Sequence, residues 1–153
     1  MKVLILAAGY ATRLYPLTLT QPKPLLPVAG KPMIDYVMDH LAPIGGIDRV
    51  YVVTNAKFAD QFQTWADDYG ARAQLNFTII NDGSTDDANK LGAIGDLHLV
   101  LQREKIDDDL IVVAGDNLFS ESLAGFGALL RPRNAPVLGV FDVGSLEQAK
   151  KYG

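Results

Sequence analysis

Short apolar runs alternate along the chain with longer stretches in which apolar residues recur every three or four positions. The short runs are rich in Val, Ile and Leu, which is typical of strands buried on both faces of a sheet. Alternation of such strands with amphipathic helices predicts an α/β fold in which helices cover a mainly parallel sheet. The runs predicted as strands are residues 2–8, 49–54, 75–81 and 110–114, with a fifth over 137–143.

The stretches between these runs have the spacing of helices. Two glycines, Gly45 and Gly46, supply a stop for the first helix. An aromatic stripe in the second connection is interpreted as core packing against the sheet, and it consists of Phe58, Phe62, Trp65 and Tyr69. The predicted helices cover residues 33–41, 58–69 and 91–102, and a further one begins over 145–152.

One connection does not fit a regular element. Residues 9–31 contain Pro16, Pro22, Pro24 and Pro27, and proline interrupts helices and the hydrogen bonds of central strands. A loop of this length inside a compact domain is usually functional. The segment is therefore the first candidate for a binding site.

Composition narrows the class of protein. The chain has 153 residues, of which 48% are apolar and 21% are charged, and a net charge of −4, which is typical of one globular domain. This balance gives no electrostatic reason to expect nucleic acid or a membrane as a partner. No apolar run approaches the roughly 20 residues of a membrane-spanning helix, and the absence of cysteine excludes disulfides and thiolate metal sites. We expect a cytoplasmic protein whose partners are small molecules.

Two loops are expected to carry the chemistry, because ligands of an open parallel sheet bind beyond the carboxyl ends of its strands. The loop after the first strand combines a glycine turn with backbone N–H donors and Arg13, which suits phosphate groups. The loop after the fourth strand places Asp116 at the same edge, where a carboxylate suits Mg²⁺. Lys23, held between Pro22 and Pro24, is a preset cation for a phosphate ligand.

An arginine, a lysine and a metal-binding carboxylate are the parts that phosphoryl-type transfer recruits. Two familiar alternatives lose support, since the chain contains neither the G-x-G-x-x-G dinucleotide fingerprint nor the G-x-x-x-x-G-K-[ST] phosphate loop. Taken singly, Arg13 could be a surface salt-bridge partner and Asp116 could cap a turn. The neighbouring acids Asp86 and Asp87 are interpreted as solvated or capping residues.

A set of consecutive motifs strengthens the phosphoryl-transfer interpretation. They are Leu6-Ala7-Ala8-Gly9-Tyr10-Ala11-Thr12-Arg13-Leu14-Tyr15-Pro16-Leu17-Thr18, Pro22-Lys23-Pro24-Leu25-Leu26-Pro27-Val28 and Gly30-Lys31-Pro32-Met33-Ile34. Together they resemble the signature of the sugar-1-phosphate nucleotidylyltransferase family, in its glucose-1-phosphate thymidylyltransferase-like form. Two later segments are similar to the family's base-side helix start and metal-binding strand end, namely Leu91-Gly92-Ala93-Ile94-Gly95-Asp96 and Val113-Ala114-Gly115-Asp116-Asn117.

This resemblance implies a Rossmann-like three-layer αβα sandwich of the nucleotide-diphospho-sugar transferase type. It implies magnesium-dependent transfer of a nucleoside monophosphate from a nucleoside triphosphate to a sugar 1-phosphate, with release of pyrophosphate. It assigns Arg13 and Lys23 to catalysis and Asp116 to the Mg²⁺ ion. The residues that it implies for nucleotide binding are Ala8, Gly9, Ala11, Thr12, Arg13, Asn81 and Gly92.

Ala11 departs from the family pattern, which usually has glycine immediately before the Thr-Arg pair. If this position needs a positive φ, alanine is strained there, and if the position is right-handed, alanine is harmless.

The resemblance also implies that residues 1–153 are the N-terminal, nucleotide-binding part of a catalytic domain that is incomplete at its C-terminal side, because no positions correspond to the family's later half. The alternative is a nucleotide-binding fragment or half-domain that does not turn over on its own. A sheet that stops here should expose an edge and an apolar face, so self-association into a homo-oligomer or low solubility is predicted for the isolated chain.

Overall fold

The computed structural model describes residues 1–132, 135–140 and 142–152. Its strands are β1 (Lys2–Leu6), β2 (Pro27–Val28), β3 (Lys31–Pro32), β4 (Arg49–Thr54), β5 (Phe77–Asn81) and β6 (Leu110–Ala114). Its helices are α1 (Met33–Leu41), α2 (Ala59–Ala73), α3 (Gly92–Glu104), α4 (Ala124–Leu130) and α5 (Leu146–Tyr152). The main sheet has the order β5-β4-β1-β6, and every pairing in it is parallel.

Helices cover both faces of this sheet, because its central strands carry apolar side chains on both sides. On one face Val3 and Ile5 of β1 pack with apolar residues of α1 and α2. On the other face Leu4 of β1 packs with Val100 of α3. Helices on both sides of a parallel sheet make a three-layer α/β/α sandwich, which confirms the predicted fold class.

The predicted helices and the first four predicted strands are confirmed, with boundaries that shift by a few residues. The first strand ends at Leu6 rather than at residue 8, although Ala7 still donates a 2.9 Å backbone hydrogen bond to Val53. The aromatic stripe of α2 belongs to the core as predicted, since Phe62 is fully buried and Trp65 is 8% exposed. Trp65 also donates a 2.8 Å hydrogen bond from Nε1 to the buried Asp35 of α1, which fixes α2 against α1.

The predicted fifth strand, over residues 137–143, is wrong in the part of it that is described, and Phe141 lies outside the described residues. Leu138 and Val140 are each 83% exposed, and residues 137–140 pair with no other described strand. A β-rich composition does not make a strand without a neighbour to pair with and a surface to cover. The sequence did not predict α4, whose Gly127 packs against Ile44 beyond the end of α1.

The two edges of the main sheet are β5 and β6. On β6, Val112 is 43% exposed and lies on the face that α3 covers farther along the sheet. Among the residues that the structure describes, none covers this part of the apolar face. Self-association of the isolated chain stays a prediction. Within the described ranges, no helix is long and apolar enough to cross a membrane.

Candidate functional site

The order of the strands creates a crevice at their carboxyl ends. The chain runs from β1 outward to β4 and β5 and then returns to β6 on the opposite side of β1. Loops diverge at such a switch point and leave room for a ligand. A cleft of about 680 Å³ lies there, lined by residues 6–14 together with Lys23, Pro24, Asp87, Lys90, Gly92, Ala93, Asp96 and Asp116.

The first loop forms one wall of the cleft and is anchored from beneath. Asn55, which follows β4 and is fully buried, donates a 3.1 Å hydrogen bond from Nδ2 to the carbonyl of Ala8. A Cβ placed on Gly9 would meet no protein atom within 4 Å. The backbone at Ala8 and Gly9 is thus held in place from below and open toward the cleft, as close approach of a ligand to the chain requires.

The structure shows whether Ala11, which stands where the family usually has glycine, has a positive φ. Ala11 has φ 47° and ψ 43°, which is the left-handed region. Its carbonyl accepts hydrogen bonds from the Leu14 amide at 2.9 Å and from Oγ1 of the buried Thr18 at 2.8 Å. These bonds hold the alanine where a Cβ is unfavourable, so the loop stores strain next to the candidate site.

We expect Ala11→Gly to raise the free energy of unfolding by about 0.5–1 kcal/mol, because relief of about 1–2 kcal/mol of left-handed strain exceeds the added chain entropy of glycine. Denaturant titration of both proteins measures this difference. The matched control is Ala71→Gly on the exposed side of α2, which should lower stability by about 1 kcal/mol. A similar loss in Ala11→Gly would mean that residue 11 is not left-handed in solution.

Arg13 and Thr12 stand at the exposed rim of the loop. They belong to a short 3-10 turn, Thr12–Leu14, that follows Ala11 directly. Arg13 is exposed and lines the cleft, and no carboxylate forms an ion pair with it among the residues the structure describes. Its guanidinium is therefore available for an anionic ligand.

Lys23 and Asp116 meet across the switch point. Nζ of Lys23 donates a 2.7 Å hydrogen bond to Oδ2 of Asp116, and both side chains are about one-third exposed. The close approach depends on Gly115, because a Cβ there would lie 3.0 Å from Cγ2 of Ile5 and 3.4 Å from Cβ of Pro24. Pro24 thus packs on the end of β6 and brings the neighbouring lysine beside the aspartate.

The opposite wall of the cleft is the start of α3. Gly92 has φ 74°, a conformation that glycine adopts without strain, and it lines the cleft with the next residue, Ala93. Asn81 ends β5 on an exposed face, where its Oδ1 accepts a 2.8 Å hydrogen bond from the Gly83 amide. Of the predicted site residues, Asn81 alone does not line the cleft, and its contact with a nucleobase stays a prediction.

The cleft contains few groups that could hold a divalent cation. No group of three or more metal-binding side chains occurs in residues 1–132, 135–140 and 142–152. Asp116 supplies one carboxylate at the strand end, next to Lys23. This donor set fits Mg²⁺, which commonly takes one or two carboxylates and completes its shell with substrate phosphates and water.

Sequence reasoning missed several residues of the cleft. Asp86 is a capping residue as interpreted, since its Oδ1 accepts hydrogen bonds from the amides of residues 88 and 89. Asp87, however, lines the cleft and forms a 2.8 Å ion pair with Lys90. Asp96 also lines it although the residue is only 5% exposed. The sequence does not single out Asp96, because its burial is set by the fold rather than by its sequence neighbours.

Comparison with known proteins identifies relatives of the whole chain. The sequence profile of the nucleotidyl transferase family matches residues 2–153. A Sulfolobus acidocaldarius protein, provisionally named a mannose-1-phosphate guanyltransferase, is 38% identical over 76% of this chain and 30% of its own length. A UTP–glucose-1-phosphate uridylyltransferase of Haloferax volcanii is 29% identical over 100% of this chain and 58% of its own length.

A solved structure gives the same picture for the fold. The crystal structure of a Bacillus anthracis protein, provisionally named a glucose-1-phosphate thymidylyltransferase, superposes with a TM-score of 0.75. The two chains are 26% identical, and the match covers 88% of this chain and 51% of the other. The chain thus spans between about a third and three-fifths of the length of these relatives.

Proposed function

Since the chain belongs to the nucleotidyl transferase family, we propose that its cleft binds a nucleoside triphosphate and serves the transfer of a nucleoside monophosphate to a sugar 1-phosphate. The products are a nucleoside-diphosphate sugar and pyrophosphate. The observation that carries this proposal is the convergence of Arg13, Lys23 and Asp116 on one cleft beside the open backbone of Ala8 and Gly9.

The charges of the cleft favour one orientation of the triphosphate. Near the loop after β1 the cleft is lined by two cations, Arg13 and Lys23, of which, among the described residues, only Lys23 is paired with an acid, Asp116. Toward α3 the ion pair of Asp87 and Lys90 leaves the acidic Asp96 as the remaining charge. Phosphates are stabilised by the cations and repelled by the acid. We therefore place the polyphosphate along Ala11, Thr12 and Arg13, and the nucleobase toward Gly92, with Asn81 as a more distant candidate for base contact.

The reaction needs no general base, because a phosphate oxygen of the sugar 1-phosphate is already anionic near neutral pH. That oxygen forms a bond to the α-phosphorus in line, and the bond between the α-phosphorus and the bridging oxygen breaks. The pyrophosphate leaves with the electron pair. The protein then acts by positioning the reactants and by stabilising charge.

Arg13, Lys23 and Asp116 each have a distinct role in this proposal. Arg13, with its planar fork of donors, binds the β- and γ-phosphates that become pyrophosphate. Lys23 holds the reacting phosphates together against their electrostatic repulsion. Asp116 would hold Mg²⁺, which when bound neutralises charge on the triphosphate oxygens. In the absence of ligand, Asp116 instead neutralises Lys23.

Pyrophosphate release tests the proposal. The chain is mixed with Mg²⁺, a panel of nucleoside triphosphates and a panel of sugar 1-phosphates, and triphosphate binding is measured in parallel. Release that requires both substrates supports the transferase. Triphosphate binding without release supports the alternative, a nucleotide-binding module that does not turn over on its own. Neither binding nor release would overturn the assignment of the cleft.

We propose that residues 1–153 work as the nucleotide-binding part of a larger catalytic domain, in the cytoplasm. The relatives are longer than this chain, which covers 58% of the Haloferax volcanii protein and 51% of the Bacillus anthracis chain. Contacts to the sugar are then expected from elsewhere than the loop after β1, because the residues of that loop are engaged with the triphosphate. The base and the sugar preferred by the enzyme follow from the panel above.

A further inference from the structure

The carboxyl groups of Asp82 and Asp96 interact with each other, and Asp96 belongs to the α3 wall of the cleft. Asp82 follows β5, and Asp96 lies on α3 one turn after Gly92. Asp96 is 5% exposed and lines the cleft. Oδ2 of Asp82 and Oδ1 of Asp96 are buried without a hydrogen-bond partner in the described part of the chain. Buried acceptors without a donor are costly, so this arrangement needs an explanation.

One proton resolves the arrangement. Ionised carboxylates only accept hydrogen bonds, whereas a protonated carboxyl also donates one. Two carboxyl groups that interact in a buried site do not both ionise easily. Burial of Asp96, the charge of Asp82 and the hydrogen bond that the protonated carboxyl makes to Asp82 raise the pKa of Asp96 to about 6. A single proton held between them gives both orphaned oxygens a partner.

Asp82 connects this pair to the first loop through one serine. Oδ1 of Asp82 accepts hydrogen bonds of 2.7 Å from the amide and from the hydroxyl of Ser84, which is 3% exposed. The same hydroxyl accepts a hydrogen bond of 3.4 Å from the phenol of Tyr10. Tyr10 is buried and lies between Gly9 and Ala11 in the loop that lines the cleft. The orientation of Asp82 therefore bears on the position of that loop.

Asp82, Ser84 and Tyr10 together are called the Asp82–Ser84–Tyr10 relay, and backbone hydrogen bonds hold the segment that carries Asp82 and Ser84. The Asp82 amide donates to the carbonyl of Thr54 at 2.9 Å, and the Ala56 amide donates to the carbonyl of Ser84 at 2.9 Å. The segments that follow β4 and β5 are thus fixed to one another below the cleft. The Ser84 hydrogen bonds engage Oδ1 of Asp82, so Oδ2 is the atom left for a protonated Asp96 to bond.

We propose that Asp96 is a positioning residue for the nucleotide: by sharing one proton with Asp82, it holds the Asp82–Ser84–Tyr10 relay and, through it, the triphosphate loop. The inference rests on the proposed function, since it takes that loop to be where the nucleotide binds. Loss of the proton leaves two adjacent negative charges at a cleft that must accept an anion. Triphosphate affinity should therefore fall as pH rises through the range in which the pair loses its proton.

The other charged groups of the cleft also affect triphosphate affinity. On the connection before α3, Asp87 is paired with Lys90, and across the cleft Lys23 is paired with Asp116. Arg13 faces the cleft from the loop after β1. The triphosphate itself also gains and loses protons with pH. The effect of the Asp82–Asp96 pair on affinity is therefore the difference between variants measured at the same pH.

Triphosphate affinity in the presence of Mg²⁺ tests the inference at about pH 5.5 and about pH 8 in the full chain and three variants. Asp96→Asn keeps a donor for Asp82 at every pH, whereas Asp96→Leu removes it. Asp107→Asn changes an exposed acid outside the cleft and is the control. At the higher pH the unmodified chain and the control should bind triphosphate about tenfold more weakly relative to Asp96→Asn. The reason is that the fraction of molecules in which the Asp82–Asp96 pair holds its proton falls. Asp96→Leu should bind weakly at both values.

A measurement without ligand accompanies the affinities. The amide resonances of Tyr10 and Ser84 should titrate with a midpoint near the pKa of the pair in the unmodified chain and not in Asp96→Asn. Identical pH profiles for the unmodified chain and Asp96→Asn, in affinity and in these resonances, would overturn the inference and leave the proposed function standing. Absence of triphosphate binding in all four proteins would overturn both.

Discussion

Asp116→Asn is expected to lower Mg²⁺-dependent pyrophosphate release by about 100- to 1,000-fold, the loss seen when a single group that stabilises developing charge is removed. Asparagine preserves the shape of the side chain and an acceptor for Lys23, which lies 2.7 Å away. It removes the negative charge that Mg²⁺ requires of its ligand. The assay compares initial rates with saturating Mg²⁺ for the two proteins.

The affinity for triphosphate without Mg²⁺ separates this loss from misfolding. Removing a negative charge beside Lys23 should leave that affinity unchanged or raise it, because the freed ammonium attracts phosphate. The gain in affinity that Mg²⁺ brings to the unmodified chain should disappear. If Asp116→Asn loses triphosphate binding with and without Mg²⁺, Asp116 supports the cleft structurally rather than the cation.

Arg13→Ala is expected to lower pyrophosphate release by a similar factor, about 100- to 1,000-fold, because in the proposed complex the guanidinium binds the phosphates that leave. Arg13 is exposed and bonded to no carboxylate in the described residues, so its removal should not change the melting temperature. Initial rates and thermal melts of the two proteins measure these effects.

Arg13→Lys distinguishes the geometry of the guanidinium from its charge. Lysine keeps one positive charge but lacks the planar fork, so it should recover only part of the activity, about tenfold over Arg13→Ala. Arg103→Ala, which removes an exposed arginine near the end of α3, is the matched control and should keep full activity. Equal activity of Arg13→Ala and the control would remove Arg13 from the site.

The layers of the fold were predictable because they follow from burial. The apolar runs of β1, β4 and β6 have no polar alternation, which indicates a sheet covered on both faces. The aromatic spacing of α2 likewise indicated one buried stripe, and that stripe lies in the core. The strand predicted over residues 137–143 was wrong in its described part, because a strand needs a neighbouring strand to pair with, and the local sequence does not reveal whether one is present.

The candidate site was predictable where one loop carries several functional groups. Arg13 and Lys23 stand in a proline-rich loop too long for an ordinary connection, and Asp116 follows the apolar run of β6. The ion pair between Lys23 and Asp116 was not predictable, since it depends on Pro24 packing against Gly115, 91 positions away in the chain.

Side chains that act through contacts distant in sequence were also missed. Asp82 and Asp96 are 14 residues apart, and each alone resembles an ordinary surface acid. Only the fold places them together and joins them to Tyr10 through Ser84. The sequence also left the conformation of Ala11 undecided, because its left-handed backbone is imposed by hydrogen bonds from Thr18 and Leu14.

The central claim is that a nucleoside triphosphate binds in the cleft between the loop after β1 and the start of α3. Titration of a ¹⁵N-labelled chain with triphosphate and Mg²⁺, followed by amide chemical shifts, tests it whether or not the chain turns over. The largest shifts are predicted at Gly9–Arg13 and at Gly92–Ala93. No shifts at these amides under saturating triphosphate, or shifts confined to the separate pocket around Lys31 and Arg72, would contradict the claim.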